Sequence, residues 1–409
     1  MFVTDELPRP GAAGHLALNH AIISWLRAQG HLVTLLFTGA RLALPVERYT
    51  EAQVAGPQVR QWGQHLAVTS PRAAMALLGR TLLRQLPQGL ASDFRHRHHK
   101  ADTVLGAFPA SADVRWCARA VARMAPGAVL IDTVFRAPLL AEPELKGVNA
   151  IIVAHDLFHR RAQALEAAGY SVQPRDFLRT REAALLGRAR AIAAIQPEEA
   201  EVIRAMCPGA NVFTAPMPAL PCPPPPGLRR IPGRLVFVGS AALPNLDGLR
   251  WFLADIWPLL TGQDITLDII GDCGAALRQL PPGVRACGRV ANFSPLLHRA
   301  ALAIAPLRTG SGLKVKLLDY ARHGLTTVTT PPGLAGFAPD ARAPFIVAGS
   351  AGTFAQAVKR LVFAPPPPHG AIAYCTSHYG EAASFAGLAA SLRADGTPQA
   401  ANDLRAERL

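Results

Sequence analysis

Short apolar runs separated by amphipathic stretches fill most of the 409-residue chain. Residues 2–4, 32–37, 128–131, 150–153 and 191–195 read as buried strands, each a brief apolar run bounded by turn residues. Segments of helical period lie between them, at 14–29, 111–124, 176–190 and 197–206. On the first of these Leu18, Ile22, Trp25 and Leu26 share one side, and Gly30 is placed to end the helix. Such alternation predicts a parallel sheet covered on both faces. Residues 216–233 then hold eight prolines among few apolar anchors, the composition of a stiff linker.

Past the linker the pattern restarts. Strands are expected at 235–239, 266–270, 284–287, 301–305, 325–329 and 345–347, with one helix through Trp251 and Trp257 and another over 313–323. A proline run at 365–368 leads to a final helix near 380–392 and a polar tail. The fold class expected is therefore α/β, two Rossmann-like doubly wound domains facing across a cleft. Their bounds are 1–215 and 234–364, with 365–409 returning toward the first domain.

The stretch PLRTGSGLKVKLLDYARHGLTTV, residues 306–328, concentrates the chemistry. A buried strand runs into Gly310 and Gly312, and a helix opens at once, with Leu313, Leu317 and Ala321 on one stripe. A helix start leaves backbone N–H groups without intrahelical partners and carries roughly half a positive charge. Lys314 and Lys316 add cations there, each costing about 0.3–1 kcal/mol unless an anion offsets it. Phosphate suits such a site. A surface turn with two solvated lysines is the other reading. Asp319, on the same helix, is placed either to accept hydrogen bonds from a ribose or to pair with Lys316 at i−3.

Composition narrows the partners. A net charge of +14 calls for an acidic one: nucleic acid, an anionic membrane or a phosphorylated small molecule. Aromatics are 6% and no nucleic-acid-binding signature occurs, so nucleic acid is not expected. Six scattered cysteines without a CxxC pair argue against a disulfide framework or a zinc site and for a reducing compartment. No secretory signal and no apolar stretch of about 18 residues is found, so a cytoplasmic protein is expected. Residues 58–100 carry Arg60, Arg72, Arg80, Arg84, Arg95, Arg97 and Lys100 against Asp93 alone. Their helical part, 74–86, sets leucines beside arginines, as in a helix lying on anionic lipid or in an ordinary surface helix. RHRHHK at 95–100 has no acid or thiol ligand nearby and reads as a solvated loop rather than a metal site.

In the first half two features face the expected cleft. The GAAG turn ending at Gly14 follows the first strand; it is too short for a dinucleotide fingerprint and reads as a ligand loop or a plain tight turn. His155 stands at a strand end, followed by Asp156, His159, Arg160 and Arg161, where imidazole could share a proton near neutral pH or simply cap the strand. In the second half, the turns after Gly239, Gly271 and Gly288 offer free backbone groups, with Arg289 close by.

The segment VGSAALPNLDGLRWF, then LDIIGD, then the run from ACGRV to GLAGF resembles the donor domain of retaining glycosyltransferases of the family-four type, which have the GT-B fold. The likeness is strongest to bacterial members that build cell-surface polysaccharides and glycolipids. VTDELPRPGAAG and IIVAHDLFHRR resemble, more loosely, the acceptor domain. The resemblance implies transfer of a sugar from a nucleoside-diphosphate sugar to a saccharide or lipid-linked acceptor, with retention and without a metal. It places Gly14 under the donor diphosphate and His155 beside the reaction centre. Lys314, with Ser311, Gly312 and Leu313, would counter the diphosphate charge, and Asp319 would stand where the family has a ribose-binding glutamate. The family's first motif glutamate would fall near Ser311 and is missing, as is a basic pair after the first donor-domain strand. A sugar-nucleotide epimerase of the same fold, or a degenerate binding protein, is the alternative. Peripheral attachment at the inner membrane face through 58–100 goes with the lipid-linked acceptor.

Overall fold

The computed structural model describes residues 1–9, 14–85, 103–167, 170–277, 279–309, 313–337, 340 and 342–393, of which 80–85 and 103 are described by backbone alone. They divide into two compact units, residues 1–216 with 385–409, and residues 217–384.

The first unit opens with β1 (Phe2–Glu6), α1 (His15–Ala28) and β2 (Thr34–Arg41). Then come β3 (Val46–Arg48), β4 (Gln53–Ala55), β5 (Val59–Trp62), β6 (His65–Val68) and α2 (Pro71–Gln85). After β7 (Thr103–Val104) follow α3 (Ser111–Met124), β8 (Val129–Asp132), β9 (Ala150–Ala154), α4 (Phe158–Ala167) and β10 (Val172–Gln173). The series ends with α5 (Arg179–Leu186), β11 (Ala191–Ala194), α6 (Pro197–Met206) and β12 (Asn211–Thr214). Seven strands form one parallel sheet in the order β12-β11-β9-β8-β1-β2-β4. Its central strands are buried on both faces, which is why they read as unbroken apolar runs. The order reverses at β1, so β1 and β8 flank the crevice where open α/β sheets take ligands.

Two parts of this unit are not visible as apolar runs. β12 reads NVFT, too short and polar, and joins the sheet through its register with β11. Residues 46–68 build a small antiparallel sheet, β3-β6-β5, whose strands are three or four residues long and bury one side each.

The second unit begins after the proline-rich stretch, which has no regular element between β12 and β13 (Arg234–Val238). α7 (Leu243–Trp251) runs into a π turn and then a 3-10 turn at Trp257–Leu260, so the helix expected through both tryptophans changes pitch where Pro258 removes an N–H. β14 (Thr266–Ile270), β15 (Val284–Gly288), α8 (Ser294–Arg299) and β16 (Leu302–Ala305) follow. α9 (Val315–Arg322), β17 (Thr327–Thr329), β18 (Phe345–Val347) and α10 (Ala351–Leu361) come next. The sheet is parallel, in the order β15-β14-β13-β16-β17-β18. It reverses between β13 and β16, which fixes this unit's crevice.

The segment expected to return whole from 365 onward divides instead. α11 (Pro368–Tyr379) and α12 (Glu381–Ser384) belong to the second unit, because Tyr374 and Cys375 are buried in one cluster with Leu317, Leu318 and Ala321 of α9. Only α13 (Ala386–Arg393), with Phe385, joins the first: Phe385 packs on Trp25 of α1 with ring centroids 5.2 Å apart. The predicted helix at 380–392 is thus broken at Phe385.

Candidate functional site

In the second unit the loops after β13 and β16 and the start of α9 enclose a pocket of about 410 Å³. Val238, Gly239, Ser240 and Asn245 line one side; Leu307, Thr309, Leu313, Lys314, Lys316 and Asp319 line the other. This is the topological reversal of the sheet, the place the strand order predicts for a ligand. Ser311 and Gly312 lie outside the described residues.

The lysines differ in kind. Lys314 is the residue before α9 and half-buried, and burial lowers its ammonium. Lys316 is also part-buried, but its ammonium sits deeper than that of Lys314. Its Nζ donates to Asn245 Oδ1 at 2.5 Å and sits 4.2 Å from the centre of the Phe237 ring. Among the described residues no carboxylate pairs with it. Burial therefore pushes Lys316 down to about 7, and the neighbouring Lys314 charge pushes the same way. A lysine held so, at a helix start with no acid in its first turn, is a place where an anion is stabilised.

Asp319 lines the pocket, but its partner is not Lys316. Arg322, one turn on, donates from Nε to its Oδ1 at 2.8 Å, while Lys316 points to the Asn245 side. Burial nevertheless raises the Asp319 carboxyl. The i−3 pairing open in the sequence is thereby excluded.

Three glycines form a rim at the strand ends, and Gly239 among them lines the pocket. Gly239, Gly271 and Gly288 follow or end three adjacent strands, and Gly271 N–H donates to the Gly288 carbonyl at 2.7 Å. A Cβ on Gly271, whose φ is +104°, would stand 2.1 Å from the Gly239 carbonyl oxygen. A Cβ on Gly239 would stand 2.7 Å from the Phe237 ring and 3.1 Å from Asn245 Nδ2, the two groups that hold Lys316. Arg289 is exposed and bonded to Asp272 at 2.7 Å, whose other oxygen accepts from Ala241 N–H. Asn245, Phe237 and Asp272 were not singled out from the sequence; only Asn245 left a signal, as the polar residue of the PNLDG turn.

The crevice of the first unit gathers a second polar set. His155, just beyond β9, is nearly buried, and its Nε2 lies 3.0 Å from Asp132 Oδ1 and 3.1 Å from Asn19 Oδ1. Asp132 closes β8 and also accepts from Thr4 Oγ1 of β1 at 2.9 Å. Burial alone would raise the Asp132 carboxyl. The His155 hydrogen bond and charge, with the Arg136 guanidinium, outweigh it and hold the group below the usual carboxylate range. Nε2–H thus points at Asp132, which fixes the tautomer and leaves Nδ1 without a hydrogen bond among the described residues. His15 stacks edge-on against His155 with ring centroids 5.6 Å apart. Gly14, at φ +62°, starts α1 there, as the sequence placed it. His159 is not part of this set: it bonds Glu182 at 2.6 Å, and Glu182 accepts from the first N–H groups of α4. Asp132 and Asn19 were not anticipated, since neither stands in a motif.

Residues 232–363 match the model of the family described as glycosyl transferases group 1. The match spans β13 to α10 of the second unit, about a third of the chain. No curated protein sequence matches the chain. Among solved structures it is similar to the sucrose-phosphate synthase of Thermosynechococcus elongatus, at 14% identity and a TM-score of 0.62 over 96% of this chain and 98% of that one. It is also similar to the lipopolysaccharide outer core galactosyltransferase WaaB, at 13% identity and a TM-score of 0.56 over 96% and 98%. TarM of S. aureus, in a structure with UDP, matches at 11% identity and a TM-score of 0.52, over 70% of this chain and 59% of that one. The chain spans less than two thirds of the TarM chains it matches. At these identities the likeness is one of fold, and the fold is GT-B. The pocket around Lys316 lies inside the matched stretch.

Proposed function

We propose that the protein is a retaining glycosyltransferase that moves a sugar from a nucleoside-diphosphate sugar to a saccharide or lipid-linked acceptor. The observation that carries the reading is Lys316: a deeply set ammonium with no carboxylate partner among the described residues, in the reversal pocket of the second unit's sheet. Such a group gains most from an anion that brings its own negative charge, and a diphosphate does.

The leaving group of the reaction is that diphosphate. As the glycosidic bond breaks, negative charge grows on its oxygen, and Lys316, Lys314 and the N–H groups at the start of α9 stabilise the charge where it forms. These cations do the work without a metal in this reading. The diphosphate oxygen then takes the acceptor's hydroxyl proton, a front-face route that keeps the anomeric configuration. His155, oriented through Nε2 by Asp132, serves the reaction centre with Nδ1. Asp319 and the Gly271 and Gly288 turns hold the nucleoside.

An anionic membrane is the proposed location of the acceptor. α2 leaves Met75 and Leu78 exposed, and Trp62 is exposed with Arg60 stacked on it, an apolar and basic set suited to a lipid surface. No helix among the described residues is long and apolar enough to cross a membrane.

The test is incubation of the protein with nucleoside-diphosphate sugars and saccharide or lipid-phosphate acceptors, with product anomers read by NMR. A product that keeps the donor configuration, lost in Lys316→Met, is expected. An inverted product, or conversion of the donor to its epimer, contradicts the reading.

A further inference from the structure

Away from the pocket, three side chains that no sequence motif connects converge under α9. Cys222 belongs to the proline-rich stretch, His298 to α8, and His323 ends α9. One ligand atom from each lies within 4.8 Å of the others. His298 and His323 are buried and Cys222 is partly so. The two imidazole centroids are 5.1 Å apart, and Sγ of Cys222 is 3.9 Å from Nε2 of His298.

We propose that Cys222, His298 and His323 bind a divalent transition-metal ion, zinc by its donor set, as a structural site. The donors are one thiolate and two imidazoles, the set that zinc favours over magnesium or calcium. In a tetrahedral site with bonds of about 2.0–2.3 Å, ligand atoms stand about 3.4–3.6 Å apart, so small side-chain rotations close the present spacing. His323 is already oriented as a metal-bound histidine is. Its Nδ1–H donates to the Asp319 carbonyl at 2.6 Å, which leaves Nε2 as the lone-pair nitrogen. The Ser294 hydroxyl donates to that Nε2 at 2.9 Å and turns aside when a metal takes the lone pair.

The protons balance as follows. His298 Nε2–H donates to the Cys222 carbonyl at 2.8 Å in the metal-free chain. On binding, this proton moves to Nδ1 and Nε2 turns to the metal, while the Cys222 thiol proton is released to solvent. One proton leaves per ion. The site ties the proline-rich stretch to the helix that carries Lys316 and Asp319, and Cys222 N–H already donates to the Arg322 carbonyl at 2.8 Å. It does not depend on the sugar-transfer reading.

The experiment is titration of the full chain, stripped with chelator, with Co²⁺ as probe. The expected result is one equivalent taken up, with a thiolate-to-cobalt charge-transfer band and tetrahedral d–d bands, both bleached by Zn²⁺. In Cys222→Ser, at a partly exposed position that does not threaten folding, the charge-transfer band disappears. Zn²⁺ at a hundredfold excess over its Kd should raise the melting temperature of the wild type by about 5 °C and that of Cys222→Ser far less. No band in the wild type, or a band that survives Cys222→Ser and so arises from another thiol, overturns the proposal.

Discussion

At the scale of single residues, Lys316 governs the pocket of the second unit and makes a prediction about protons. With its ammonium pushed down to about 7 by burial, the free protein is largely neutral there at pH 8. An anion in the pocket favours the charged form, so binding of a nucleoside diphosphate at pH 8 should take up close to one proton. At pH 6 the lysine is already charged and contributes no uptake. Calorimetry in buffers of different ionisation enthalpy reads this directly, and Lys316→Met should abolish the uptake at pH 8. The same group affects stability. Its folded value is about 7 against an ordinary 10.5, so the unfolded chain binds the extra proton between these limits and stability rises with pH across them. Urea melts at pH 7 and pH 9 should show that rise in the wild type and a flatter response in Lys316→Met. His155→Ala should lower turnover at least tenfold with donor binding nearly unchanged; equal turnover would remove His155 from the reaction centre.

The sequence drew attention to Lys314 and Lys316 together, and nothing in their spacing tells which sits deeper. The difference arises from Phe237 and Asn245, residues about seventy positions away that close over one lysine and not the other. For the same reason Asp132 and Asn19 went unseen: each is an ordinary strand or helix residue until the sheet order sets it beside His155. The Cys222, His298 and His323 cluster was hidden more completely. A metal reading from sequence relies on close ligand spacing, and here tertiary contact does the gathering.

At the scale of elements, parallel strands were legible because burial on both faces leaves them apolar throughout, as in AIIVA at β9 and LAIA at β16. Short half-buried strands such as β3 to β6 give too little pattern to see. The glycine rim is an element-scale device. Gly271 adopts a φ that favours glycine and stands against the Gly239 backbone, so Gly271→Ala must push apart the ends of β13 and β14. A loss of about 2 kcal/mol or more in the second unit is expected by urea denaturation, together with weaker nucleotide binding. If both are unchanged, the rim is not needed. For α2, replacing Met75 and Leu78 with Glu should reduce co-flotation with anionic liposomes while leaving nucleotide binding intact. Undiminished flotation would assign the helix to an ordinary surface.

At the scale of the whole molecule, the +14 charge and the repeated strand-helix pattern pointed to two α/β units and an acidic partner, and the GT-B fold agrees on the first count. The second count rests on the proposal that the Lys316 pocket takes a diphosphate. Calorimetric titration of the full chain with nucleoside diphosphates, and with the matching nucleosides as controls, tests it most directly. Saturable binding of at least one diphosphate is expected, weaker by a hundredfold or more for its nucleoside and for Lys316→Met. Equal affinity for nucleoside and diphosphate, or full affinity in Lys316→Met, would contradict it.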